Sequence, residues 1–415
     1  MKVRFGPFEV DSDSGRLLKH GVPVRLRDQP FQVLLMLVRN PGNVVTREAL
    51  RTRLWGESTF VDFENGLNSA ISRLRDALGD LSATPTWIET IPKRGYRFIG
   101  SLPKTAAATA YLKGHHVISP HTPESMRKSL AFFEEAIALD PDYALAYHGA
   151  ALVYILRCLL DDIRPLEGLP KADEYLARGL RCSHQPAMVY NTLAMLRTFQ
   201  RRWEEAEKAS NSAIQLEDSN PFVRMIRAQL FSCLGWHDEA IAVAQGAVDL
   251  DPAQPRPHMH LVKALYYARR FEECVRAGDA GLEVCPDPYI AFYSGFALIE
   301  LGRTEEAMRR SEKTNRPETP QAVELAMRGF IAAHAGRECE ALSALRVLRK
   351  RRESGYIPAI AIAWLEIALK NYADAMDWLL LAAQEGEPYL ASARVSPAYD
   401  PIRQLPGFER LIALS

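Results

Sequence analysis

Two neighbouring stretches decide the fold of the N-terminal part of this chain: FENGLNSAISRLRDAL (residues 63–78) and WIETIPKRGYRF (residues 87–98). In the first, four apolar residues recur at spacings of four, three and four, which places them on one face of an α-helix. They are Leu67, Ile71, Leu74 and Leu78. The other face is polar and carries Asn65, Asn68, Ser69 and Ser72, flanked by Arg73 and Arg75. By itself, this pattern is also typical of a helix with a buried stripe and a solvated face.

The second stretch predicts a β-hairpin with a basic tip. Trp87 to Thr90 and Tyr96 to Ile99 alternate like two strands, and Pro92 and Gly95 favour a turn between them. Two cations lie in that turn, Lys93 and Arg94. A polar-faced helix followed by a basic hairpin is the arrangement with which a winged helix binds duplex DNA.

The residues upstream predict a small antiparallel sheet and two helices. Short alternating runs are separated by glycine or proline turns. The predicted strands are Val3–Phe5, Phe8–Val10, Arg16–Lys19 and Val22–Leu26, and the predicted helices are Gln29–Arg39 and Thr46–Leu54. Thr46 is predicted to be the N-cap of the second helix.

Four strands, three helices and a terminal hairpin resemble the OmpR/PhoB-type winged helix-turn-helix, as found at the head of CadC/ToxR-like regulators. The resemblance covers residues 1–100 and extends to individual motifs. These are Arg47-Glu48-Ala49-Leu50 and Leu54-Trp55, then residues 71–78 (ISRLRDAL), and Gly95-Tyr96-Arg97-Phe98 in the hairpin. The resemblance implies an α+β domain whose third helix enters the major groove while the hairpin, or wing, contacts the backbone or minor groove.

The same resemblance assigns roles to individual residues. The recognition-helix set is Asn65, Asn68, Ser69, Ser72, Arg73 and Arg75, and the wing and backbone set is Lys93, Arg94, Arg97, Thr46 and Arg47. Arg73 is expected to bind a guanine edge, and Asn68 an adenine edge, through two hydrogen bonds each. Arg75 is expected to contact phosphate, although capping or a surface ion pair is an alternative for it and for Arg97, Thr46 and Arg47. Ser72 and Asp76 stand where more basic residues would strengthen binding, so modest DNA affinity is expected.

Charge is divided between the two parts of the chain. The formal net charge is +0, yet the first hundred residues hold 15 Lys and Arg against 11 Asp and Glu, which leaves the remainder acidic. A basic N-terminal head and an acidic body fit a DNA-binding module joined to a different module.

Composition predicts an ordinary globular protein of 415 residues with 47% hydrophobic and 25% charged residues. The sequence lacks a signal peptide and an apolar run of about 18 residues, so a cytoplasmic protein with no membrane partner is expected. Its six cysteines have no paired spacing and are expected to be small, buried, reduced residues. Phosphate-loop, dinucleotide, metalloprotease and nucleophile-elbow motifs are absent from the sequence, so we expect no enzyme activity, no cofactor and no metal site.

A repeat of about 34 residues organises the rest of the chain. Small residues mark the period: Ala206, Ala240, Cys274, Ala307, Ala341 and Ala375. The units resemble tetratricopeptide repeats, in which two helices approach closely at small residues. We predict an all-α solenoid of about eight helix pairs over residues 110–388, the second pair being lengthened by residues 161–170. A linker at 101–109 and a helical cap at 389–415 complete the predicted domain organisation.

The first helix of each pair is expected to line a concave groove. In register, the lining residues are Asn191, Met195, Met225, Gln229, Met259, Lys263, Phe292, Phe296, Phe330 and Trp364. Methionines and aromatic residues favour an apolar groove for a peptide or small ligand. The alternative is a tight superhelix in which these side chains are core. Tyr266 and Tyr267, together with Lys263, are expected to be surface contacts.

The sequence therefore leads to one main hypothesis and two alternatives. The main hypothesis is a sequence-specific transcriptional regulator that binds double-stranded DNA, with a homodimer on DNA as one arrangement, and whose repeats bind a protein or ligand signal. One alternative is an antibiotic-regulator-like activator that contacts RNA polymerase through its helical repeats. The other is an interaction scaffold whose head does not bind DNA.

Overall fold

The computed structural model describes residues 2–5, 7–12, 14–19, 22–55, 63–81, 85–100, 106–118, 122–314 and 321–413. The chain divides into two compact units, Met1–Thr105 and Ala106–Ser415, which we call the head and the body. Each unit has its own hydrophobic core.

The head begins with a four-stranded antiparallel sheet in the order β1-β2-β3-β4. Its strands are β1 (Lys2–Phe5), β2 (Phe8–Asp11), β3 (Arg16–Lys19) and β4 (Val22–Val24). The remaining elements are α1 (Asp28–Arg39), β5 (Val44–Thr46), α2 (Arg47–Trp55), α3 (Phe63–Leu78), β6 (Ile88–Ile91) and β7 (Gly95–Phe98). Strand β5 is absent from the sequence prediction. It pairs with β7, so the wing is the three-stranded sheet β5-β7-β6.

Aromatic side chains join the first sheet to the wing. The ring of Phe5 lies 5.1 Å from that of Phe98 and 5.2 Å from that of Trp87. Phe8 contacts Trp87 edge-on at 6.0 Å between ring centroids. These edge-to-face contacts, with the buried leucines of the helices beneath them, fix the base of the wing to the rest of the head.

The described part of the body forms eight helix pairs followed by a C-terminal segment. The pairs are α4 (Ala106–Val117) and α5 (Pro123–Leu139), α6 (Ala144–Leu159) and α7 (Pro165–Gly179), α8 (Ala187–Phe199) and α9 (Trp203–Glu217), α10 (Pro221–Leu234) and α11 (His237–Leu250), α12 (Pro255–Tyr267) and α13 (Phe271–Val284), α14 (Pro288–Glu300) and α15 (Thr304–Lys313), α16 (Ala322–His334) and α17 (Glu338–Ser354), and α18 (Ala359–Ala368) and α19 (Tyr372–Gln384). Two short 3₁₀ helices, Pro388–Ser392 and Pro397–Ile402, precede α20 (Pro406–Ala413).

The small residues that mark the 34-residue period lie in the interior of the array. All six side chains, from Ala206 to Ala375, are completely buried. A larger side chain at these positions would separate the two backbones of a pair. This observation agrees with the predicted solenoid of tetratricopeptide-repeat type.

Three details differ from the sequence predictions. Helix α4 begins at Ala106, inside the predicted linker, because the alanine-rich residues 106–109 favour a helix. Pro170 lies inside α7 rather than in an extended loop. Four cysteines are buried, but Cys285 is partly exposed and Cys339 is exposed, and all six are free thiols.

Candidate nucleic-acid interface

Helix α3 separates the head's core from an exposed polar surface. Its apolar stripe is buried, as the spacing predicts, and Ala70 is buried with it. Five of the six predicted recognition residues are exposed on the remaining surface: Asn65, Asn68, Ser69, Ser72 and Arg73. Asp76 is exposed on the same helix. The helix therefore presents short polar side chains and one arginine to solvent.

Three side chains on this surface form no hydrogen bond or ion pair with another described residue. They are those of Ser69, Ser72 and Arg73. A guanidinium carries five donors and no acceptor, so Arg73 has its full donor set available for a ligand. The serine hydroxyls can both donate and accept.

The side-chain oxygen of Asn68 has hydrogen-bond partners within the head, which differs from the predicted paired contact to adenine. Its Oδ1 accepts a hydrogen bond from Arg47 Nη2 at 2.9 Å and another from the Tyr96 hydroxyl at 3.2 Å. A paired contact to adenine needs that oxygen as an acceptor and the amide nitrogen as a donor. With both lone pairs of the oxygen in use, Asn68 retains its NH₂ group as a donor to DNA.

Arg47 organises a cluster that the sequence does not reveal. Its guanidinium donates to Glu64 at 2.5 Å and to the Tyr96 hydroxyl at 2.9 Å, and it lies 5.5 Å from the centre of the Tyr96 ring. The hydrogen bond to Glu64 raises the pKa of Arg47. The cluster joins the start of α2, the first turn of α3 and strand β7. Only 22% of the Arg47 side chain is exposed, so it holds the recognition helix against the wing rather than acting as a free cation.

Arg75 was predicted to contact DNA, and this prediction is wrong. The residue is only 6% exposed, and its Nη2 donates to Thr90 Oγ1 at 2.9 Å while Nη1 lies 3.8 Å from Asp80 Oδ2. The physical reason is its spacing: Arg75 follows Ile71 by four residues and therefore shares the buried face. That spacing was the available signal in the sequence.

Asp80, which the sequence prediction missed, anchors the start of the wing. Its carboxylate accepts hydrogen bonds from three consecutive backbone N–H groups, those of Thr86 at 2.6 Å, Trp87 at 3.1 Å and Ile88 at 3.0 Å. Together with Arg75, Asp80 connects the end of α3 to strand β6. The hydrogen bonds of Arg75 to Thr90 and of Asp80 to the backbone of residues 86–88 thus hold the end of the recognition helix against the base of the wing.

The wing holds its two cations in the turn between β6 and β7. Arg94 N donates to the carbonyl of Ile91 at 3.0 Å, and the Arg94 carbonyl accepts from Arg47 N at 3.1 Å. Lys93 has a φ of 62°, which is uncommon for a residue with a side chain. A Cβ on Gly95 would lie 2.1 Å from the carbonyl oxygen of Val45, so the approach of β5 requires glycine there. The Lys93 and Arg94 side chains are exposed and have no partner among the described residues.

Two other predicted backbone contacts are partly used within the head. Thr46 Oγ1 accepts from Ala49 N at 3.1 Å, as an N-cap does, which leaves its hydroxyl proton free to donate. Arg97 is 3.2 Å from Glu89 across the wing, and both side chains are more than a third exposed. A phosphate could compete with Glu89 for this arginine, since exposed ion pairs are weak.

The predicted groove of the body is covered. Eight of its ten predicted lining residues are buried, namely Asn191, Met195, Met225, Gln229, Phe292, Phe296, Phe330 and Trp364. Met259 and Lys263 are half-buried. Tyr266 and Tyr267 were predicted to be surface contacts, and this is wrong because they are 1% and 3% exposed. They pack against Tyr293, and the Lys263 ammonium lies 5.7 Å from the ring centres of Tyr267 and Tyr293.

Other kinds of site find little support. No group of three His, Cys, Asp or Glu side chains in the described ranges is placed to hold a metal ion. Among the described helices, none combines the length and apolar character that crossing a membrane requires.

Known proteins are similar to separate parts of this chain. Residues 21–98 match the family model described as "Transcriptional regulatory protein, C terminal". The "Cholera toxin homolog transcriptional activator" of Vibrio parahaemolyticus is 41% identical over 76 residues, which are 18% of this chain and 26% of that protein. The "Small glutamine-rich tetratricopeptide repeat-containing protein 2" of Mycosarcoma maydis is 37% identical over 81 residues, which are 20% of this chain and 23% of that protein.

A solved structure is similar to the head alone. The DNA-binding domain of RstA from Klebsiella pneumoniae, in complex with the RstA box, is 30% identical and matches 24% of this chain and 96% of that domain, with a TM-score of 0.22. The head has the fold and the sequence similarity of an OmpR/PhoB-type winged helix-turn-helix domain, and the body is an all-α array of helix pairs with tetratricopeptide-like repeats. The chain spans about a quarter of the length of each of these two relatives.

Proposed function

We propose that this protein is a sequence-specific DNA-binding transcriptional regulator without enzymatic activity, whose repeat array binds a protein or ligand signal. One observation carries the proposal. The polar side chains of α3 and the cations of the wing that have no partner among the described residues belong to one compact unit, in which Arg75 and Asp80 form hydrogen bonds to strand β6 of the wing and the residues before it.

Base recognition is assigned to α3. The major groove admits an α-helix, and the face that carries Ser69, Ser72 and Arg73 supplies donors for base edges. Arg73 is the side chain that can bind guanine through two hydrogen bonds, whereas the serines suit phosphate or water-bridged contacts. Asn65 lies on the same exposed face. Asn68 supplies a single donor in this arrangement.

The wing supplies affinity that does not depend on sequence. Lys93 and Arg94 are exposed on a tight turn, and neutralising a phosphate releases counterions whatever the base sequence. The left-handed backbone at Lys93 is easier for glycine or asparagine, so a lysine there fits a functional requirement. Thr46 and Arg97 are secondary backbone contacts in this proposal.

Selection from random DNA with the full-length protein tests the proposal. We expect a recurrent motif whose complex weakens steeply as salt rises. Replacing both wing cations (Lys93→Ala with Arg94→Ala) should reduce the slope of log affinity against log salt by about two, at about one per lost phosphate contact.

Arg16→Ala is the matched control for the wing variant. Arg16 is an exposed arginine of β3 in the first sheet, and its loss should leave both the motif and the salt slope unchanged. If no motif emerges and the full-length protein retards no fragment at low salt, the DNA-binding assignment fails.

A further inference from the structure

The segment that follows the last helix pair lies across the first helices of the array. We call residues 388–403, which contain the two 3₁₀ helices, the strap. Its first 3₁₀ helix packs against α8 and α10, and its second packs against α18 and α19. Strap residues also share a small cavity with side chains of α12, α14, α16 and α18. Except for α19, these are the first helices of their pairs, so the strap covers the surface predicted to bind a partner.

The strap is anchored at both ends. Just before it, the Glu387 carboxylate accepts hydrogen bonds from the N–H groups of Ala359 at 2.6 Å and Ile360 at 3.0 Å, at the start of α18. Just after it, α20 packs against α19 and buries Phe408 and Leu411. The strap is therefore a segment between two fixed points, separate from the helices of the last repeat.

Two neighbouring strap residues engage the array specifically. Tyr399 is 1% exposed, and its hydroxyl accepts a hydrogen bond from Trp364 Nε1 at 2.8 Å. Asp400 accepts two hydrogen bonds from the Arg269 guanidinium, at 2.7 and 2.8 Å. Arg269 itself has a φ of 59° at the end of α12. The array thus recognises an aromatic ring followed by a carboxylate.

The strap contributes Leu390, Ala393, Tyr399 and Ile402 to the hydrophobic core of the body, but it does not fill all the space above the array. A cavity remains between the strap and the array, lined by Tyr266, Tyr267, Tyr293, Phe296, Trp364 and Tyr389 among others. The Arg269 and Asp400 side chains are 49% and 37% exposed, and an ion pair as exposed as this adds little stability. A ligand that fills the cavity and keeps the ion pair could replace the strap.

We propose that the strap is a built-in occupant of a peptide-binding surface, and that a partner peptide with an aromatic residue followed by an acidic residue displaces it. The inference rests on the proposed function, because it names the chemistry of the signal that the repeats bind. Trp364 and Arg269 would contact the partner as they now contact Tyr399 and Asp400. Since the strap competes within the same molecule, the apparent affinity for the partner is reduced by the fraction of molecules in which the strap is closed.

A labelled synthetic peptide of residues 394–405 provides the test, with binding measured by fluorescence anisotropy on full-length protein. Asp400→Arg removes the carboxylate and places a cation opposite Arg269. We expect this variant to bind the peptide at least about fivefold more tightly than the wild type, because more molecules are open. A peptide in which lysine replaces the aspartate should not bind.

Glu306→Arg is the matched control, since it reverses the acidic partner of a similarly exposed arginine, Arg303, away from the strap. It should bind the peptide as the wild type does. Hydrogen exchange should accelerate in residues 388–403 of Asp400→Arg and stay unchanged in α12 and α13, which shows that the variant is folded. Tyr399→Phe, which removes only the hydroxyl, should give a smaller gain in peptide affinity.

Three results would overturn the inference. They are equal peptide affinity in the wild type and Asp400→Arg, equal binding of the lysine peptide, and dimerisation of Asp400→Arg by exchange of straps in place of peptide binding. DNA retardation by the same proteins separates the two proposals. Retained DNA binding without peptide binding rejects the strap inference alone, whereas peptide binding without DNA binding rejects the function of the head.

Discussion

The body repeats one arginine ion pair from unit to unit, whereas the head keeps three of its cations without a partner among the described residues. In four helix pairs of the body, an arginine just before the second helix pairs with a glutamate three residues later. These pairs are Arg202–Glu205, Arg270–Glu273, Arg303–Glu306 and Arg337–Glu340. In the head, Arg73, Lys93 and Arg94 have no partner among the described residues. The difference teaches that a cation's partners, and not its exposure alone, separate binding residues from structural ones.

The largest expected effect concerns the buried ion pair that joins α3 to the wing. Asp80→Ala would leave Arg75 buried without its carboxylate and three backbone N–H groups without an acceptor. Removing one member of a buried pair costs about 3–5 kcal/mol, so we expect the head to lose most of its stability. Hydrogen exchange of residues 63–78 in the full-length protein would measure the loss.

Asp76→Ala is the control for this experiment. Asp76 is exposed on the same helix, and its removal should leave the exchange rates of α3 unchanged. Unchanged protection in Asp80→Ala would show that Arg75 and Asp80 do not hold the wing, and Arg75 would again be a possible DNA contact.

The next effect separates binding from stability. Arg73→Ala should weaken binding to the selected DNA motif by about 1–3 kcal/mol and relax the preference at one base pair. Stability of the head should not change, because Arg73 has no partner to lose. Equal losses on the selected motif and on random DNA would identify Arg73 as a phosphate contact instead.

The contrast between these two arginines also shows how much of the site was predictable. Both flank the polar face of α3 in sequence, and a periodic pattern locates that face but not the long-range partner of each residue. The spacing from Ile71 places Arg75 on the buried face, but its partners Thr90 and Asp80 lie outside the helix. Likewise, the Arg47 cluster depends on Tyr96, which is 49 residues away in the chain.

In the body, the sequence predicted the repeat but not the strap that covers its first helices. The buried small residues follow a local period, so their spacing carries the information. The covering of Tyr266 and Tyr267 depends on the strap, more than a hundred residues later, and no local pattern records that contact. Methionines and aromatic residues in register were therefore consistent with both an open groove and a covered one.

The buried carboxylate of Asp161 should make the stability of the body depend on pH, which the exposed arginine pairs should not. Asp161 accepts a hydrogen bond from Ala322 N at 2.6 Å, and burial raises the pKa of Asp161 to about 7. Because this pKa exceeds that in the unfolded chain, about 4, the stability that depends on the protonated form is complete below about pH 4 and lost as pH rises through 7. Asp161→Asn keeps an acceptor and tolerates the left-handed backbone at this position, where φ is 62°.

Between pH 5 and pH 8, the melting temperature of the wild type should fall by about 2–4 °C more than that of Asp161→Asn. Asp377→Asn, which alters an exposed carboxylate of α19, should keep the pH dependence of the wild type. Parallel pH profiles for the wild type and Asp161→Asn would mean that the Asp161 carboxylate is not destabilised by burial.

The smallest expected effect concerns one of the repeated arginine pairs of the body. Arg303→Ala removes one repeated pair, in which Arg303 Nη2 lies 2.6 Å from Glu306 Oε2 and both side chains are substantially exposed. Exposed pairs of this kind contribute about 0.2–1 kcal/mol, so the free energy of unfolding should fall by no more than about 1 kcal/mol and DNA affinity should not change. Denaturant unfolding and DNA retardation on the same sample would check both. A loss of DNA affinity comparable to that of Arg73→Ala would mean that paired arginines of the body also contact DNA, and the division between structural and binding cations would not hold.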